Sequence, residues 1–346
     1  MRALLLSLFM IMLAACLPDH DKEQPGSARV ARDDKPVRVG LVLGHFGLGD
    51  QSFNDMQYNG LIAAYRKFDI KAVFRVLKDE SEAGMLPVFE ELIHRERCNV
   101  VIAGESFLMA PLVVKLAKKY PDVMFIMMDY RQATEPNIVS VEFAQNEGSY
   151  AAGFLAARVS DGRRIGFIGG VDLPVIKDFE IGFREGIAAG NALSLLETEF
   201  LTRLPDFTGF SDPKKGYAAA KKMYASGVDV IYAVAGASGN GIIHAAQEAG
   251  KYVIGVDSNQ DHMAPGHVLT SMMKRLDVAV LRMIEARIAG TLKGGVYRSD
   301  YTDGGISLTE MEYSKEKIPA AVLRELRELE KKIADRRIAV GSYLKG

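Results

Sequence analysis

The chain has 346 residues, of which 48% are hydrophobic and 25% charged, and its formal net charge is −1. This length suits two domains of ordinary size, and the near-neutral charge gives no reason to expect nucleic acid as a partner. The six histidines are scattered and do not have the spacing of metal ligands, so no metal centre is predicted.

The first sixteen residues have the pattern of an export signal. Arg2 precedes an apolar run over residues 3–12, and Leu-Ala-Ala stands directly before Cys16. This run is too short to span a bilayer as a mature helix, and the last four residues match a bacterial lipobox, in which the cysteine is acylated. We predict a signal peptide over 1–15 and a lipidated N-terminus with a flexible tether over 16–36, anchored in the bilayer by acyl chains. An ordinary secretory peptide with an incidental cysteine is the alternative.

With Cys16 lipidated, Cys98 is the sole remaining thiol, so no intrachain disulfide is expected. Cys98 opens an apolar run and is predicted to be a small buried residue rather than a reactive one.

From residue 36 onward, short apolar runs alternate with stretches of helical spacing. The predicted strands are 37–43, 72–77, 99–103, 123–128, 138–141, 164–168, 229–233 and 252–256, and the predicted helices are 53–68, 82–96, 106–119, 146–160, 177–189, 213–226, 239–249, 276–288 and 319–336. Continuous apolar strands separated by helices predict parallel sheets that are covered on both faces.

We therefore predict the α/β class, with two doubly wound parallel-sheet domains joined by a three-crossover hinge. The first break is placed at 140–145, a crossing back at 269–273 and a third crossing at 297–307. The N-terminal lobe would be 37–141 plus 273–297, and the C-terminal lobe 142–272 plus 298–346, with one cleft between them.

Ligands of open parallel sheets bind outside the carboxyl ends of the strands, so the residues after each apolar run are candidates. The loop after the first strand contains His45, Asp50, Ser52, Phe53 and Asn54. Asp50 or Ser52 could simply cap the next helix. Phe53, at a loop–helix junction, could stack a planar ring.

Acidic residues follow other strands. Glu105 comes after the third predicted strand, Asp129 after the fourth and Asp257 after the last. Carboxylates at these positions could accept hydrogen bonds from hydroxyls or ring nitrogens, whereas an ordinary turn residue is the alternative for Asp129.

Three further residues complete the predicted site. Phe210 is either a packing residue or a second aromatic wall. Gly236 opens a glycine-rich loop that lacks the lysine of a phosphate-binding loop and the spacing of a dinucleotide site. Lys274 lies near the proposed crossing back and would stay charged if buried in a cleft beside Asp257. On an open surface it would have no role.

Six motifs occur in order: Leu-Val-Leu-Gly followed by Gly-Asp-Gln-Ser-Phe-Asn, Phe-Ile-Met-Met-Asp-Tyr, Ala-Ala-Gly-Phe-Leu-Ala-Ala, Gly-Phe-Ile-Gly-Gly, Ala-Gly-Ala-Ser-Gly-Asn-Gly and Val-Ile-Gly-Val-Asp-Ser-Asn-Gln. Over about residues 37–292 the chain resembles the basic membrane protein family of substrate-binding lipoproteins, which includes purine-nucleoside receptors of ABC transporters. The resemblance implies the type I periplasmic-binding-protein fold.

The resemblance also implies roles for single residues. Phe53 and Phe210 would stack the base from two sides, and Asp129 would bond the base edge. Asp257 and Lys274 would hold ribose hydroxyls, while the backbone of Gly236 would contact the ligand. His45 departs from the family, whose nucleoside-binding members often carry an acid or amide there, so the identity of the ring stays open between purine, pyrimidine and other compounds.

We therefore expect a monomeric, lipid-anchored protein of the bacterial cell envelope, facing the periplasm or the exterior. It would capture a nucleoside, with a purine favoured, and deliver it to an ABC permease and its ATPase without a cofactor. A lipid-anchored receptor or sensor for another ring compound, not coupled to transport, is the alternative. An enzyme is disfavoured because the sequence has no dinucleotide fingerprint, Walker lysine, Gly-x-Ser-x-Gly elbow or His/Cys metal spacing.

Overall fold

Two six-stranded sheets, each covered by helices, make up residues 36–344, the part of the chain that this computed structural model describes. The predicted signal peptide, Cys16 and nearly all of the tether lie outside the described residues. Within residues 36–344, no helix has the length and apolarity that a membrane crossing requires.

The elements alternate along the chain as the apolar runs predict. In chain order they are β1 (Arg38–Leu43), α1 (Phe53–Lys67), β2 (Lys71–Val76), α2 (Glu82–His94), β3 (Val100–Ala103), α3 (Ser106–Lys119), β4 (Met124–Met128), β5 (Ile138–Phe143), α4 (Gln145–Val159), β6 (Arg164–Asp172), α5 (Pro174–Gly190), β7 (Leu195–Arg203), α6 (Pro213–Ala225), β8 (Val230–Val234), α7 (Ser238–Ala249), β9 (Tyr252–Asp257), β10 (Val268–Lys274), α8 (Leu276–Ile288), β11 (Gly295–Ser299), β12 (Ile306–Leu308) and α9 (Ala320–Ala334).

The first sheet has the order β11-β5-β4-β3-β1-β2 and is parallel throughout. The second has the order β12-β10-β9-β8-β6-β7 and is parallel except for β12, which runs antiparallel to β10. β3 and β8 are buried along their whole length, as central strands with both faces covered must be. The predicted α/β class with two doubly wound sheets is confirmed. We call the part built on the first sheet the first lobe and the part built on the second sheet the second lobe.

Small residues let the helices pack closely. Gly153 of α4 and Gly182 and Gly186 of α5 each lie so near the facing helix backbone that a Cβ atom would overlap it. At the start of α6, Asp212 accepts a hydrogen bond from the backbone N–H of Lys215 (3.0 Å), and Pro213 follows directly. An aspartate cap followed by proline is a favoured start for a helix.

Three connections join the two sheets: after Phe143, after Lys274 and between β11 and β12. Residues 269–273, which we expected to be a crossing, instead form most of β10 in the second sheet, and the crossing follows Lys274. The run is mostly buried and pairs with β9 rather than spanning the gap. β5 extends to Phe143 and β11 to Ser299, each two residues past the predicted lobe boundary.

Four strands of residues 36–344, namely β7, β10, β11 and β12, have no counterpart among the eight predicted strands, and β7 was not expected even as a crossing. Its sequence alternates acidic and apolar residues, and most of its side chains are only partly buried because it is an edge strand that pairs with β6 alone. Cys98, by contrast, is buried as predicted, and burial raises the pKa of its thiol to about 12.

Candidate functional site

A cavity lies where the carboxyl ends of both sheets face each other, the position at which open parallel sheets bind their ligands. All nine predicted ligand-binding residues line this cavity: His45, Asp50, Phe53, Asn54, Asp129, Phe210, Gly236, Asp257 and Lys274. The strand-end rule therefore brings together residues from both lobes that are up to 229 positions apart in the sequence.

Asp50 has a structural role as well as a place in the cavity wall. Its carboxylate accepts hydrogen bonds from the backbone N–H groups of Ser52 (2.9 Å), Asn54 (2.8 Å) and Asp55 (3.1 Å), which fixes the start of α1. Burial raises the pKa of Asp50 to about 6, although these donors oppose the shift. The capping alternative thus describes Asp50. Ser52 does not cap α1 with its side chain.

Lys274 and two aspartates form a charged cluster at the ends of β4, β9 and β10. Lys274 is 1% exposed, and its Nζ lies 2.5 Å from Oδ2 of Asp129. The ammonium also lies 5.1–5.8 Å from the ring centroids of Phe53, Phe143 and Phe179. Lys274 is buried in the cleft, as we expected, but its direct partner is Asp129 rather than Asp257.

Asp257, the second aspartate of this cluster, is bonded across the cleft. Its Oδ2 accepts a hydrogen bond from Ser52 Oγ at 2.5 Å. Burial raises the pKa of Asp257 to about 6, while the charge of Lys274 and the Ser52 hydrogen bond act in the opposite direction. The cluster therefore holds two buried carboxyl groups against one ammonium.

The backbone turns sharply at both aspartates. Asp129 and Asp257 have φ angles of 58° and 66°, in the left-handed region where aspartate is one of the few tolerated side chains besides glycine. Gly236 has φ 53° and lies against the backbone of Phe210. Strained residues of this kind concentrate at binding sites.

Aromatic side chains from both lobes line the cavity. Phe53 belongs to the first lobe and Phe210 to the second, and both are partly exposed. Phe107 of α3 stacks on Phe207 with ring centroids 5.5 Å apart and an interplanar angle of 30°, and it lies 6.2 Å from Phe210. Aromatic rings of the two lobes therefore meet at the cavity.

A second polar group, which we call the Glu105 corner, consists of His45, Asn54, Glu80 and Glu105. The carboxyl group of Glu105 lies against Gly44, where a Cβ atom would overlap it. Burial and the charge of Glu80 raise the pKa of Glu105 to about 7, whereas His45 and a hydrogen bond from Asn54 lower it. Glu80 Oε1 is held by Nδ1 (2.7 Å) and the backbone N–H (3.0 Å) of His45.

The two lobes touch each other around the cavity. Besides the Ser52–Asp257 hydrogen bond, Gln260 Nε2 donates to the backbone oxygen of Gln51 (3.0 Å). His45 Nε2 and Ser211 Oγ are 3.3 Å apart. The cleft is therefore closed over the cavity, and several of these contacts would break if the lobes separated.

Sequence reasoning missed several lining residues. Glu80 lies in the loop after β2 and Phe107 in the first turn after β3, so the rule that finds strand ends could have found both. Glu105 stood out as an acid at a strand end but received no role. Phe179 lies inside α5, where nothing in the sequence distinguishes it from a core residue.

Metal binding finds no support in this geometry. Across residues 36–344, no three His, Cys, Asp or Glu side chains are placed so that they could share a metal ion.

Comparison with known proteins agrees with this architecture. The sequence model of one family, the PnrA-like ABC transporter substrate-binding proteins (Bmp), matches residues 38–343. The chain is 29% identical to a CD4+ T-cell-stimulating antigen of Listeria innocua, over 95% of this chain and 94% of that protein. It is 30% identical to basic membrane protein A of Borreliella burgdorferi, over 68% of each.

A solved structure has the same fold. The solute-binding protein of an ABC transporter system from Aeropyrum pernix superposes with a TM-score of 0.78 at 24% identity, over 88% of this chain and 93% of that one. Among the relatives is also a lipoprotein of Pyrococcus horikoshii, 28% identical over 82% of this chain and 71% of that protein.

Proposed function

The chain belongs to the PnrA-like family of ABC transporter substrate-binding proteins, and on that premise we propose that it captures a nucleoside, with a purine favoured, and delivers it to an ABC permease. The protein acts as a binder rather than an enzyme. Lipidation at Cys16 holds it in the bacterial cell envelope as a monomer.

One observation carries this proposal: aromatic side chains from both lobes line the same cavity as a buried cluster of hydrogen-bonding charges. Phe53 and Phe210 line the same space from different lobes, so a flat base can be stacked from two sides. Such ring pairs contribute about 0.5–1.5 kcal/mol beyond the area they bury.

The charged cluster suits the ribose. Carboxylates of Asp129 and Asp257 accept hydrogen bonds from hydroxyl groups, and the Lys274 ammonium donates them. Because Asp129 is paired with Lys274 at 2.5 Å, we now assign it to the ribose end of the ligand rather than to the base edge. The left-handed backbone at Gly236 presents a further contact to the same region.

Ligand binding and closure are linked. A nucleoside that touches Phe53 on one lobe and Phe210 on the other binds the closed state better than the open state, and so it shifts the population toward closure. The contacts between His45 and Ser211 and between Ser52 and Asp257 join the two lobes, and opening of the cleft would break them. The permease then receives the closed form.

The test is a thermal-shift titration of protein that has been unfolded and refolded to remove any copurified ligand. Adenosine, guanosine, inosine, uridine and cytidine are compared with free sugars and amino acids. A nucleoside at one hundred times its dissociation constant should stabilise the fold by about 2.7 kcal/mol.

A matched pair of variants completes this test. Asp257→Asn should lose most of the shift, whereas Glu330→Gln, which alters another carboxyl group with a raised pKa far from the cavity, should keep it. A shift for a sugar or amino acid with none for any nucleoside would overturn the proposal.

A further inference from the structure

We infer, on the basis of the proposed function, that the Glu105 corner hydrogen-bonds to the edge of the bound base and prefers a base with two adjacent N–H donors. The 2-amino-6-oxo edge of guanosine has this pattern. Inosine offers one donor there, and adenosine offers a ring acceptor.

Asn54 carries a buried acceptor oxygen that no described residue uses. Asn54 is 4% exposed and lines the cavity, and its Oδ1 has no hydrogen-bond partner among residues 36–344. Its amide donates instead to Glu105. A buried acceptor without a partner is destabilising, so a ligand N–H placed at Oδ1 would stabilise the complex.

Beside Asn54 lies the carboxyl group of Glu105. Glu105 also lines the cavity, held against Gly44 on one side and bonded by Asn54 on another. A carboxylate has two oxygens with several lone pairs and accepts two parallel N–H donors. Together Glu105 and Asn54 present three acceptor oxygens to one corner of the cavity.

Few hydrogen-bond donors surround the Glu105 corner. Among the described residues that line the cavity, Lys274 is the only lysine and there is no arginine, and Lys274 is paired with Asp129. His45 uses Nδ1 on Glu80 and faces Ser211 with Nε2. A base that brings acceptors to this corner therefore leaves acceptors facing acceptors.

The charge state of the corner depends on pH. The groups that face Glu105 are Glu80 in the loop after β2, Asp50 and Asn54 at the start of α1, and His45 after β1. Burial and Glu80 raise the pKa of Glu105 to about 7. The ionised form binds two donors, so the affinity for guanosine should rise between pH 6 and pH 8.

The experiment measures the dissociation constants of guanosine, inosine and adenosine by titration calorimetry at pH 6 and pH 8, on wild type and Glu105→Gln. Wild type should bind in the order guanosine, inosine, adenosine, with about tenfold or more between the first and last, since a hydrogen bond to a charged group contributes about 1.5–3 kcal/mol. A glutamine side chain offers one acceptor and one donor. Glu105→Gln should therefore lower the ratio of the guanosine affinity to the adenosine affinity at least about tenfold. It should also abolish the rise in guanosine affinity between pH 6 and pH 8.

The outcomes separate the two proposals. If wild type binds no nucleoside, the proposed function itself fails. If nucleosides bind but guanosine is not preferred, or if Glu105→Gln leaves both the ratio and the pH dependence unchanged, the inference about Glu105 is overturned while nucleoside binding stands. Retained adenosine binding by Glu105→Gln shows that the variant is folded.

Discussion

The two lobes follow one backbone plan but bring opposite chemistry to the cavity. Strands β1–β5 and β6–β10 have the same order, with the first strand of each set flanked by its second and third. The fourth strand of each sheet, β4 or β9, leads into an aspartate with a positive φ angle, Asp129 or Asp257. The backbone of one lobe is thus repeated in the other, down to this strained turn.

The side chains are not repeated. The first lobe contributes four carboxyl groups to the cavity, from Asp50, Glu80, Glu105 and Asp129. The second contributes Asp257 and Lys274, but otherwise mainly apolar and aromatic side chains from Val175 to Phe210 and the backbone of Gly236. We infer that the first lobe recognises the polar edges of the ligand, and that the second covers it and excludes water.

The charged cluster of Lys274, Asp129 and Asp257 combines side chains of both lobes, and disrupting it should have the largest effect. Lys274→Met leaves Asp129 and Asp257 buried without a counter-charge, and removing one partner of a buried pair costs about 3–5 kcal/mol. We expect that loss in the free energy of unfolding at pH 8, measured by denaturant titration without ligand.

Two companion variants control this prediction. Lys67→Met removes an exposed lysine, 52% exposed and paired with Glu285, and should change stability by less than about 1 kcal/mol. Adding Asp129→Asn to Lys274→Met should recover part of the loss, because one uncompensated charge is gone. If the double variant is no more stable than the single one, the Lys274–Asp129 pair does not explain the cost.

The acid-rich side of the cavity should make the ligand-free protein less stable as the pH rises. Burial raises the pKa values of Asp50 and Asp257 to about 6 and of Glu105 to about 7. A carboxyl group with a raised folded-state pKa contributes stability that is present below its unfolded pKa, near 4, and lost as the pH passes its folded pKa. The free energy of unfolding should therefore fall between about pH 4 and pH 7.

Substitutions show how much of this fall in the free energy of unfolding comes from each lobe. Since one pKa unit corresponds to about 1.4 kcal/mol, each group accounts for on the order of 3 kcal/mol. Glu105→Gln should flatten the curve up to pH 7, including the part above pH 6, whereas Asp257→Asn should flatten it only below pH 6. Carboxyl groups outside the cavity, such as Glu330, are common to all variants and cancel in the difference. Parallel curves for wild type and both variants would contradict the prediction.

The smallest effect concerns the ring contact across the cleft. Phe107 and Phe207 belong to different lobes, whereas Tyr58 and Phe74 form an edge-to-face pair within the first lobe at 5.0 Å. A double-mutant cycle with alanine should give a coupling of about 0.5–1.5 kcal/mol for either pair. If the ligand-free protein opens in solution, the Phe107–Phe207 coupling alone should vanish and return when nucleoside is added.

The sequence predicts the fold well because the core strands are short, continuous and apolar. The edge strand β7 escapes this reasoning, since its alternating Glu-Thr-Glu-Phe pattern reflects partial exposure. Residues 269–273 were wrongly taken for a crossing because the segment stands next to one, and its burial becomes evident only from its pairing with β9.

The position of the site could also be predicted from the sequence, but its internal pairing could not. Strand ends identify Asp129, Asp257 and Lys274 as neighbours in the cleft. Which aspartate receives the ammonium depends on sub-ångström placement of β4 against β10, from different lobes. The hydrogen bond between Ser52 and Asp257 joins residues 205 positions apart and exists only when the lobes meet, so no local pattern signals it.

The burial of Cys98 has a practical consequence for observing domain movement. Thiolates are the species that react with maleimide dyes, and a thiol with a pKa of about 12 supplies almost none at neutral pH. In a chain with Cys16 replaced, cysteines introduced at the exposed positions Lys118 of α3 and Lys222 of α6 would take up a donor and an acceptor fluorophore without background labelling. Single-molecule energy transfer between them would then record opening and closing directly, one molecule at a time.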